Sequence, residues 1–300
     1  MRLTAGKHDF HFPRRPLIMG IVNINHDSFS GDGSLDSDEC LNQAVRQVAA
    51  GADIIDVGGE SARTNREAIS EEEEIDRVAP FIQKFNQALA ENRFSSVDDT
   101  QLFPPLLSIN TWRPKVADAL LQEGGDILND MSALPGPENV EAAVRHQAAL
   151  LIMHSVGQPK VAHRHVRYEN ILESLIEFFE EKMLYAEKLG LNRDQIILDP
   201  GIEFAKQQED NLQIYQMLES LKRLNRPVLL PVSRKGMIGE VLNLPHPADR
   251  DAGTLACICR GLLGGASIFR VHHVPAAWAA VKLFHALQSS DASPTFLSST

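Results

Sequence analysis

Short apolar runs alternate along the chain with longer segments of helical spacing, and glycines or polar clusters separate the two patterns. The clearest run is 54–57, Ile-Ile-Asp-Val, which stops at the paired glycines Gly58 and Gly59. Short apolar, β-branched runs are typical of buried parallel strands, and glycine lets the backbone turn sharply where a strand ends. We therefore predict an alternation of buried strands and amphipathic helices.

This pattern predicts eight strands and eight helices. The predicted strands are 17–22, 54–57, 106–110, 126–129, 149–154, 195–199, 227–232 and 266–271. The predicted helices are 36–50, a helix that begins at 71, 114–122, 137–146, 170–189, 211–224, 251–263 and 275–287. A right-handed succession of such units closes as a (β/α)₈ TIM barrel of the α/β class. An open doubly wound sheet is the alternative, but it would gather polar residues at one crevice, whereas here nearly every strand ends in one.

Three segments lie outside this alternation. Residues 1–15 contain Gly6 and Pro13 and predict an N-terminal arm or hairpin, ahead of a single barrel domain at 16–288. Residues 289–300 are rich in Ser and Thr and predict a flexible tail. Residues 91–105 break the rhythm and predict a surface insertion.

Composition and charge limit the kinds of partner that this protein is expected to bind. The 300 residues are 43% hydrophobic and 23% charged, which is ordinary for a globular protein with a large core. A net charge of −11 argues against broad binding of nucleic acid or of anionic membranes. Three cysteines form neither a disulfide framework nor a zinc pattern, and no signal sequence or apolar span is evident. These features predict a cytoplasmic protein with a small-molecule partner.

Polar side chains follow almost every predicted strand. They are Asn23, Glu60, Arg63, Asn110, Asn129, Asp130, His154, Asp199, Lys235, Arg270 and His272. In a barrel, the carboxyl ends of the strands share one face, so we expect these side chains to lie together. Amides and carboxylates suit the edge of a flat heterocycle, and the cations suit phosphate oxygens. Any one of them, such as His154 or Asn129, has an alternative role as a satisfied buried group that closes its strand.

Several motifs resemble those of the dihydropteroate synthase family. Two signature regions match, Met19-Gly20-Ile21-Val22-Asn23 with Asp27-Ser28-Phe29-Ser30, and residues 51–61. The shorter matches follow in the family's order: Asn129-Asp130, Met153-His154, Leu198-Asp199-Pro200-Gly201, Ser233-Arg234-Lys235 and Arg270-Val271-His272. The resemblance covers residues 16–285. It implies a TIM barrel that joins 6-hydroxymethyl-7,8-dihydropterin diphosphate to p-aminobenzoate, giving dihydropteroate and pyrophosphate in folate biosynthesis.

The resemblance also implies roles for individual residues. Asp199, Asn129 and Asn110 would contact the pterin, and Lys235 would lie along it near the reacting carbon. Arg63, Arg270 and His272 would hold the diphosphate beside Ser233, and with Lys235 they would be the catalytic groups. Asn23 would meet the Mg²⁺ that accompanies the diphosphate, and Phe204 would lie near p-aminobenzoate. Members of the family are usually homodimers through their last helices.

The chain departs from the family pattern at several positions. Asn110 stands where the family has an aspartate that contacts the pterin, and Ala62 removes a hydroxyl from the second loop. Glu203 replaces a glycine and predicts repulsion of an anionic aminobenzoate. The remaining departures are Asn25-His26, Thr64-Asn65 and His273. His163 and His165 form a possible metal pair, but no third ligand is identifiable from spacing, so a solvated loop is favoured.

These departures leave two alternative functions. Asn110, Ala62 and Glu203 motivate a paralogue that binds a pterin without condensing it, or that uses another acceptor. The second alternative is a methyltetrahydrofolate-binding barrel of the cobalamin-dependent methyltransferase type. Such a barrel has no use for a diphosphate site, so the motifs 233–235 and 270–272 argue against it.

Overall fold

The computed structural model describes residues 1–25, 33–60, 67–157, 159–161 and 166–288. The chain begins with an antiparallel hairpin, β1 (Arg2–Ala5) and β2 (His8–His11). The eight strands that follow are β3 (Leu17–Asn23), β4 (Ile54–Gly58), β5 (Leu106–Asn110), β6 (Ile127–Asp130), β7 (Ala149–Met153), β8 (Ile196–Asp199), β9 (Leu229–Pro231) and β10 (Ile268–Val271). They form one parallel sheet in the order β8-β7-β6-β5-β4-β3-β10-β9. A parallel bridge between Leu198 and Val228 joins its two edges, so the predicted (β/α)₈ barrel is confirmed and the open-sheet alternative is wrong.

Helices connect these strands on the outside of the barrel. They are α1 (Ser37–Ala49), α2 (Glu71–Ala90), α3 (Pro114–Glu123), α4 (Glu138–Arg145), α5 (Ile171–Lys188), α6 (Gln208–Met217), α7 (Gly236–Leu242), α8 (Asp251–Gly264) and α9 (Val274–Gln288). The helix predicted to begin at 71 does so because the Ser70 side chain caps the Glu73 amide at 3.0 Å. None of these helices is long and apolar enough to cross a membrane.

Two helical predictions differ from the structure. The predicted helix 211–224 is split, since α6 ends at Met217 and a 3₁₀ segment, Leu218–Leu224, follows it. The short helix α7 was not predicted, because two of its seven residues, Gly236 and Gly239, are glycines with low helical propensity. α7 begins directly after Lys235, so the start of this helix fixes the backbone position of Lys235.

The barrel interior is closed at the end where the strands begin. Leu3, Ala5, Phe10 and Phe12 of the hairpin segment are buried in one cluster with the inward-facing strand residues. Those strand residues are Leu17, Met19, Ile54, Leu106, Ile127, Ala149, Leu151, Met153, Ile197, Leu229 and Ile268. The hairpin therefore plugs one end of the barrel, and the carboxyl ends of the strands remain as the open end.

Residues 91–105 are not wholly a surface insertion. Gln101 is buried, and its amide donates to the carbonyl oxygens of Val48 and Ala52 at 2.9 and 2.7 Å. The Phe94 ring packs on Phe85 with centroids 4.9 Å apart. The prediction was wrong in part because a buried glutamine that satisfies backbone carbonyls cannot be distinguished by sequence from a solvated one.

Candidate active site

A buried carboxylate, Asp56, organises the open end of the barrel. Its Oδ1 accepts hydrogen bonds from Ser108 Oγ at 2.6 Å and Asn129 Nδ2 at 3.1 Å. Its Oδ2 accepts from Asn110 Nδ2 at 3.1 Å and Arg270 Nε at 2.7 Å. Asp56 has no exposed surface, so its charge is balanced by the guanidinium and its lone pairs by the other three donors.

The strand register explains why these side chains meet. Side chains alternate along a strand, so Ile54 and Asp56 face the same side. Asp56 is aligned with Ser108, and Asn110 is aligned with Asn129. The barrel interior thus has an apolar layer that includes Ile54, covered by a polar layer built around Asp56.

Asp199 enters the same layer from the end of β8. Its side chain is almost fully buried, and its Oδ1 accepts from the Gly201 amide at 2.7 Å. Burial raises the pKa of Asp199 to about 6, partly opposed by that amide and by Lys235, Lys206 and Arg270. The carboxylate therefore lies in a cationic surrounding at the mouth of the barrel.

His154 and Lys206 hold the loop that follows β8. Lys206 Nζ donates to His154 Nδ1 at 2.8 Å, and to the carbonyl oxygens of His154 and Phe204 at 3.2 and 3.0 Å. Burial lowers the pKa of Lys206 to about 7 and that of His154 to about 3, so the imidazole is the neutral acceptor. Gly201, at φ +66°, must be glycine, because a Cβ there would lie 2.0 Å from the His154 oxygen.

Lys235 projects from the start of α7 toward this loop. Its Nζ donates to the Ile202 carbonyl oxygen at 3.0 Å and lies 5.3 Å from the centre of the Phe204 ring. The Glu203 carboxylate points toward the same segment, with Oε2 4.0 Å from Lys235 Nζ. Lys235, Phe204 and Glu203 are therefore immediate neighbours.

The ends of β9 and β10 place Ser233 beside His272. Ser233 Oγ lies 2.8 Å from His272 Nδ1 and accepts from the His272 amide at 3.2 Å. Arg234, between Ser233 and Lys235, points elsewhere and pairs with Asp251 through contacts of 2.8 and 3.0 Å. Ser233 and Lys235 thus belong to the mouth of the barrel, whereas Arg234 stabilises the loop that carries them.

Other strand-end residues have structural partners. Glu60 forms ion pairs with Lys160 and, at 2.6 Å, with Arg113. Asp130 accepts from the Ser132 amide at 2.6 Å and from Asn139 at 2.9 Å. These carboxylates fix the loops around the mouth.

The remaining predicted residues are those assigned to phosphate binding or metal binding. Asn23 ends β3 in register with Gly58, and its carbonyl oxygen accepts from the Ser34 amide at 3.1 Å. Arg63 lies outside the described residues, as do Ala62, His26, Thr64-Asn65 and the pair His163 and His165. Within the described ranges, no group of three His, Cys, Asp or Glu side chains is arranged to hold a metal ion.

The sequence patterns did not identify Asp56, Ser108 and Lys206 as members of this assembly. Asp56 is surrounded in sequence by Ile55 and Val57, so it reads as part of the strand. The one available signal was an ionisable residue in an apolar run, because such a residue is rarely buried without partners.

A cavity of about 760 Å³ lies at the opposite end, between the hairpin segment, α8 and α9. Phe12, Arg14, Lys222, Leu262 and Phe284 are among its lining residues. None of the strand-end side chains lines it, so its size does not make it the site of the chemistry.

The chain is similar to proteins of known family and structure. Residues 19–272 match the family model described as pterin binding enzyme. The dihydropteroate synthase of Synechocystis sp. is 39% identical over 287 residues, covering 95% of this chain and 94% of that protein. The dihydropteroate synthase of Escherichia coli K12 is 34% identical over 276 residues, covering 92% and 93%.

Solved structures agree with the sequence matches. Yersinia pestis dihydropteroate synthase in a sulfonamide drug complex superposes with a TM-score of 0.85 at 32% identity, covering 96% of this chain and 98% of that one. The Xanthomonas albilineans dihydropteroate synthase with 7,8-dihydropteroate superposes with a TM-score of 0.80 at 30% identity, covering 96% and 99%. The same enzyme with 4-aminobenzoic acid gives a TM-score of 0.82 at 30% identity, covering 96% and 98%.

Proposed function

This chain belongs to the pterin-binding enzyme family as a transferase of the dihydropteroate synthase type, and we propose that its barrel mouth performs the condensation. The substrates are 6-hydroxymethyl-7,8-dihydropterin diphosphate and p-aminobenzoate, and the products are dihydropteroate and pyrophosphate of folate biosynthesis. The observation that carries the residue assignments is the polar layer around Asp56, with amides and carboxylates beside Arg270.

The pterin ring would bind against this layer. Its adjacent ring N–H and amino group suit the Asp199 carboxylate, and Asn129 would complete the edge. Asn110 donates its amide to Asp56, and its Oδ1 is buried without a hydrogen-bond partner among the described residues. A ring N–H would satisfy that oxygen. Asn110 would thus offer a neutral acceptor where the family pattern has a carboxylate.

The diphosphate would lie on the cationic side of the mouth. Arg270 uses Nε for Asp56, so its two other nitrogens would hold phosphate oxygens, with His272 and Ser233 beside them. Arg63 is assigned to the same role from the sequence motif. These donors would stabilise the charge that develops on the departing pyrophosphate.

Lys235 and Phe204 would serve the reacting groups. The Lys235 ammonium would lie along the pterin near its methylene carbon, and Phe204 would pack on the ring of p-aminobenzoate. Their separation of 5.3 Å supports one shared site for donor and acceptor. The aromatic amine would attack the methylene carbon as pyrophosphate leaves, and holding both substrates in place would supply much of the acceleration.

A magnesium ion fits this site as a companion of the diphosphate. Mg²⁺ keeps several waters and is bound mainly through substrate phosphates with one or two protein oxygens, so the absence of a three-ligand cluster among the described residues is compatible with it. Asn23 would supply the protein oxygen. When bound, the ion would neutralise negative charge on the diphosphate.

We also propose an oligomeric state and a cellular location for this protein. Leu263, Leu283 and Leu287 on α8 and α9 are 62%, 62% and 77% exposed, which supports a homodimer through these helices. All three cysteines are free thiols, which supports a cytoplasmic location.

The ionisation of Asp199 makes pterin binding depend on pH. Because burial raises the pKa of Asp199 to about 6, we expect affinity to rise with pH through about 6 as the accepting carboxylate forms. The stability of the free protein changes with pH in the opposite direction. The contribution of Asp199 is present below its ordinary pKa of 3.8 and is lost as pH rises through about 6.

Fluorescence titration of a pterin on both sides of pH 6 checks this expectation. Asp199→Asn serves as the control, because it removes the titrating group while keeping its shape. If pterin affinity changed as much with pH in Asp199→Asn as in the parent protein, another group would be responsible.

The condensation itself is tested by mixing the protein with Mg²⁺, the pterin diphosphate and p-aminobenzoate. We expect pyrophosphate and dihydropteroate to appear in equal amounts. Pterin binding without product would favour the paralogue alternative, and product only with another acceptor would redefine the second substrate.

A further inference from the structure

Glu203 occupies a backbone conformation that glycine adopts more readily. Its φ is +73°, in the loop between β8 and α6, at the position where the family pattern has glycine. Its amide donates to Asn211 Oδ1 at 2.8 Å. A side chain persists in such a conformation when surrounding contacts hold it, so its partners are informative.

The Glu203 carboxylate binds the start of a different loop. Its Oε1 accepts from the Met237 amide at 2.6 Å, and its Oε2 lies 4.0 Å from Lys235 Nζ. The side chains of Glu203 and Lys235 are 30% and 16% exposed. The carboxylate is thus engaged with α7 and lies near Lys235, and the predicted repulsion of the acceptor stays a prediction.

The two loops exchange side-chain-to-backbone contacts. Lys235 donates to the carbonyl oxygen of Ile202, while Glu203 accepts from the amide of Met237. Each side chain therefore binds the backbone of the other loop. We call the pair Glu203 and Lys235, with these two contacts, the clasp.

The backbone of Lys235 is also held from its other side. Arg250 Nη1 donates to the carbonyl oxygens of Arg234 and Lys235 at 3.1 and 3.3 Å. This support comes from the 3₁₀ segment Pro247–Arg250, and it reaches the backbone rather than the Lys235 side chain. Its direction is set by the clasp and by Phe204, whose ring centre is 5.3 Å away.

We infer that Glu203 is a positioning residue for Lys235, and that the clasp fixes the ammonium group beside the pterin before the substrates bind. This inference rests on the proposed function for the role of Lys235, whereas the clasp is a property of the free protein. Preorganising a cation lowers the reorganisation needed as the reaction proceeds. Loss of the clasp would affect the use of the pterin substrate rather than recognition of the acceptor.

Two substitutions separate the reach of Glu203 from its charge. Glu203→Gln keeps an oxygen that can accept from the Met237 amide but removes the charge. Glu203→Asp keeps the charge but shortens the side chain by one methylene. Glu209→Gln is the matched control, because this exposed glutamate in the first turn of α6 belongs to neither loop contact.

The readouts are steady-state kinetics with each substrate varied and amide hydrogen exchange of the segment 235–239. We expect Glu203→Asp to lower kcat/KM for the pterin diphosphate roughly tenfold and to speed exchange at Met237, because a hydrogen bond to a charged group is lost. KM for p-aminobenzoate should change less than about twofold, since no acceptor contact is lost. Glu203→Gln should stay within about threefold of the parent and keep the Met237 amide protected.

Three results would overturn the inference. The first is a loss in Glu203→Gln that Glu203→Asp does not share, which would assign the effect to charge rather than to reach. The second is a lower KM for p-aminobenzoate in Glu203→Gln with unchanged pterin kinetics, which would assign Glu203 to acceptor repulsion. The third is unchanged exchange at Met237 in Glu203→Asp. Exchange is measured on the free protein, so it tests the clasp even if the parent fails to condense the substrates, a failure that would count against the proposed function alone.

Discussion

Asp56→Asn is expected to abolish measurable pterin binding and to lower the free energy of unfolding by about 3 kcal/mol. The substitution leaves the Arg270 guanidinium without its anion and brings an amide –NH₂ group up to two of the four donors from which Asp56 accepts. The expected loss is at the low end for a broken buried pair, because Arg270 is 22% exposed and water can solvate part of it. Denaturant unfolding and pterin titration of the same preparation measure both effects.

Asp53→Asn is the matched control at the opposite end of the barrel. Asp53 is also fully buried, and it pairs with Arg15 at 2.6 Å and accepts from the amides of Ile18 and Leu102 at 2.7 and 2.8 Å. We expect it to lose at least as much stability as Asp56→Asn while keeping pterin affinity. Equal loss of affinity in both variants would mean that binding merely follows stability, and Asp56 would lose its assigned place in the site.

Arg270→Lys is expected to lower kcat/KM for the pterin diphosphate by about 100-fold, because removing one group that stabilises developing charge typically has that effect. Lysine keeps the charge but cannot bind Asp56 and phosphate oxygens at the same time with the planar geometry of arginine. The measurements are steady-state kinetics and the affinity for pyrophosphate alone, which should fall in parallel.

Arg226→Lys provides the comparison for this second prediction. Arg226 is a buried arginine at the closed end of the barrel, bound to Asp194 at 2.9 Å and to the carbonyl oxygen of Arg2 at 2.7 Å. It should lose stability without a change in kcat/KM. Full activity in Arg270→Lys would remove this guanidinium from the diphosphate site.

The barrel was predictable because its strands and helices have different periods. Buried parallel strands require short apolar runs, and their polar ends mark the open face. Asn110, Asn129, Asp199, Lys235 and Arg270 were identified this way, and the structure places them around one mouth. Their substrate roles remain proposals.

The contacts between those residues were not predictable. Asp56 was read as part of a strand, and only the register of β4, β5 and β6 shows that Ser108 and two amides converge on it. Likewise, the sequence did not indicate that Glu203 accepts from the Met237 amide, because the direction of that side chain depends on where Met237 lies. Such contacts join residues that are far apart in sequence, so local sequence patterns do not predict them.

A crystal structure of this protein with a pterin bound tests most directly whether the layer around Asp56 is the pterin site. We expect a ring at the carboxyl ends of the strands, with its edge within hydrogen-bonding distance of Asp199 and Asn129 and its face beside Lys235. A pterin bound in the cavity between the hairpin segment, α8 and α9, or anywhere else away from Asp56 and its partners, would contradict this expectation.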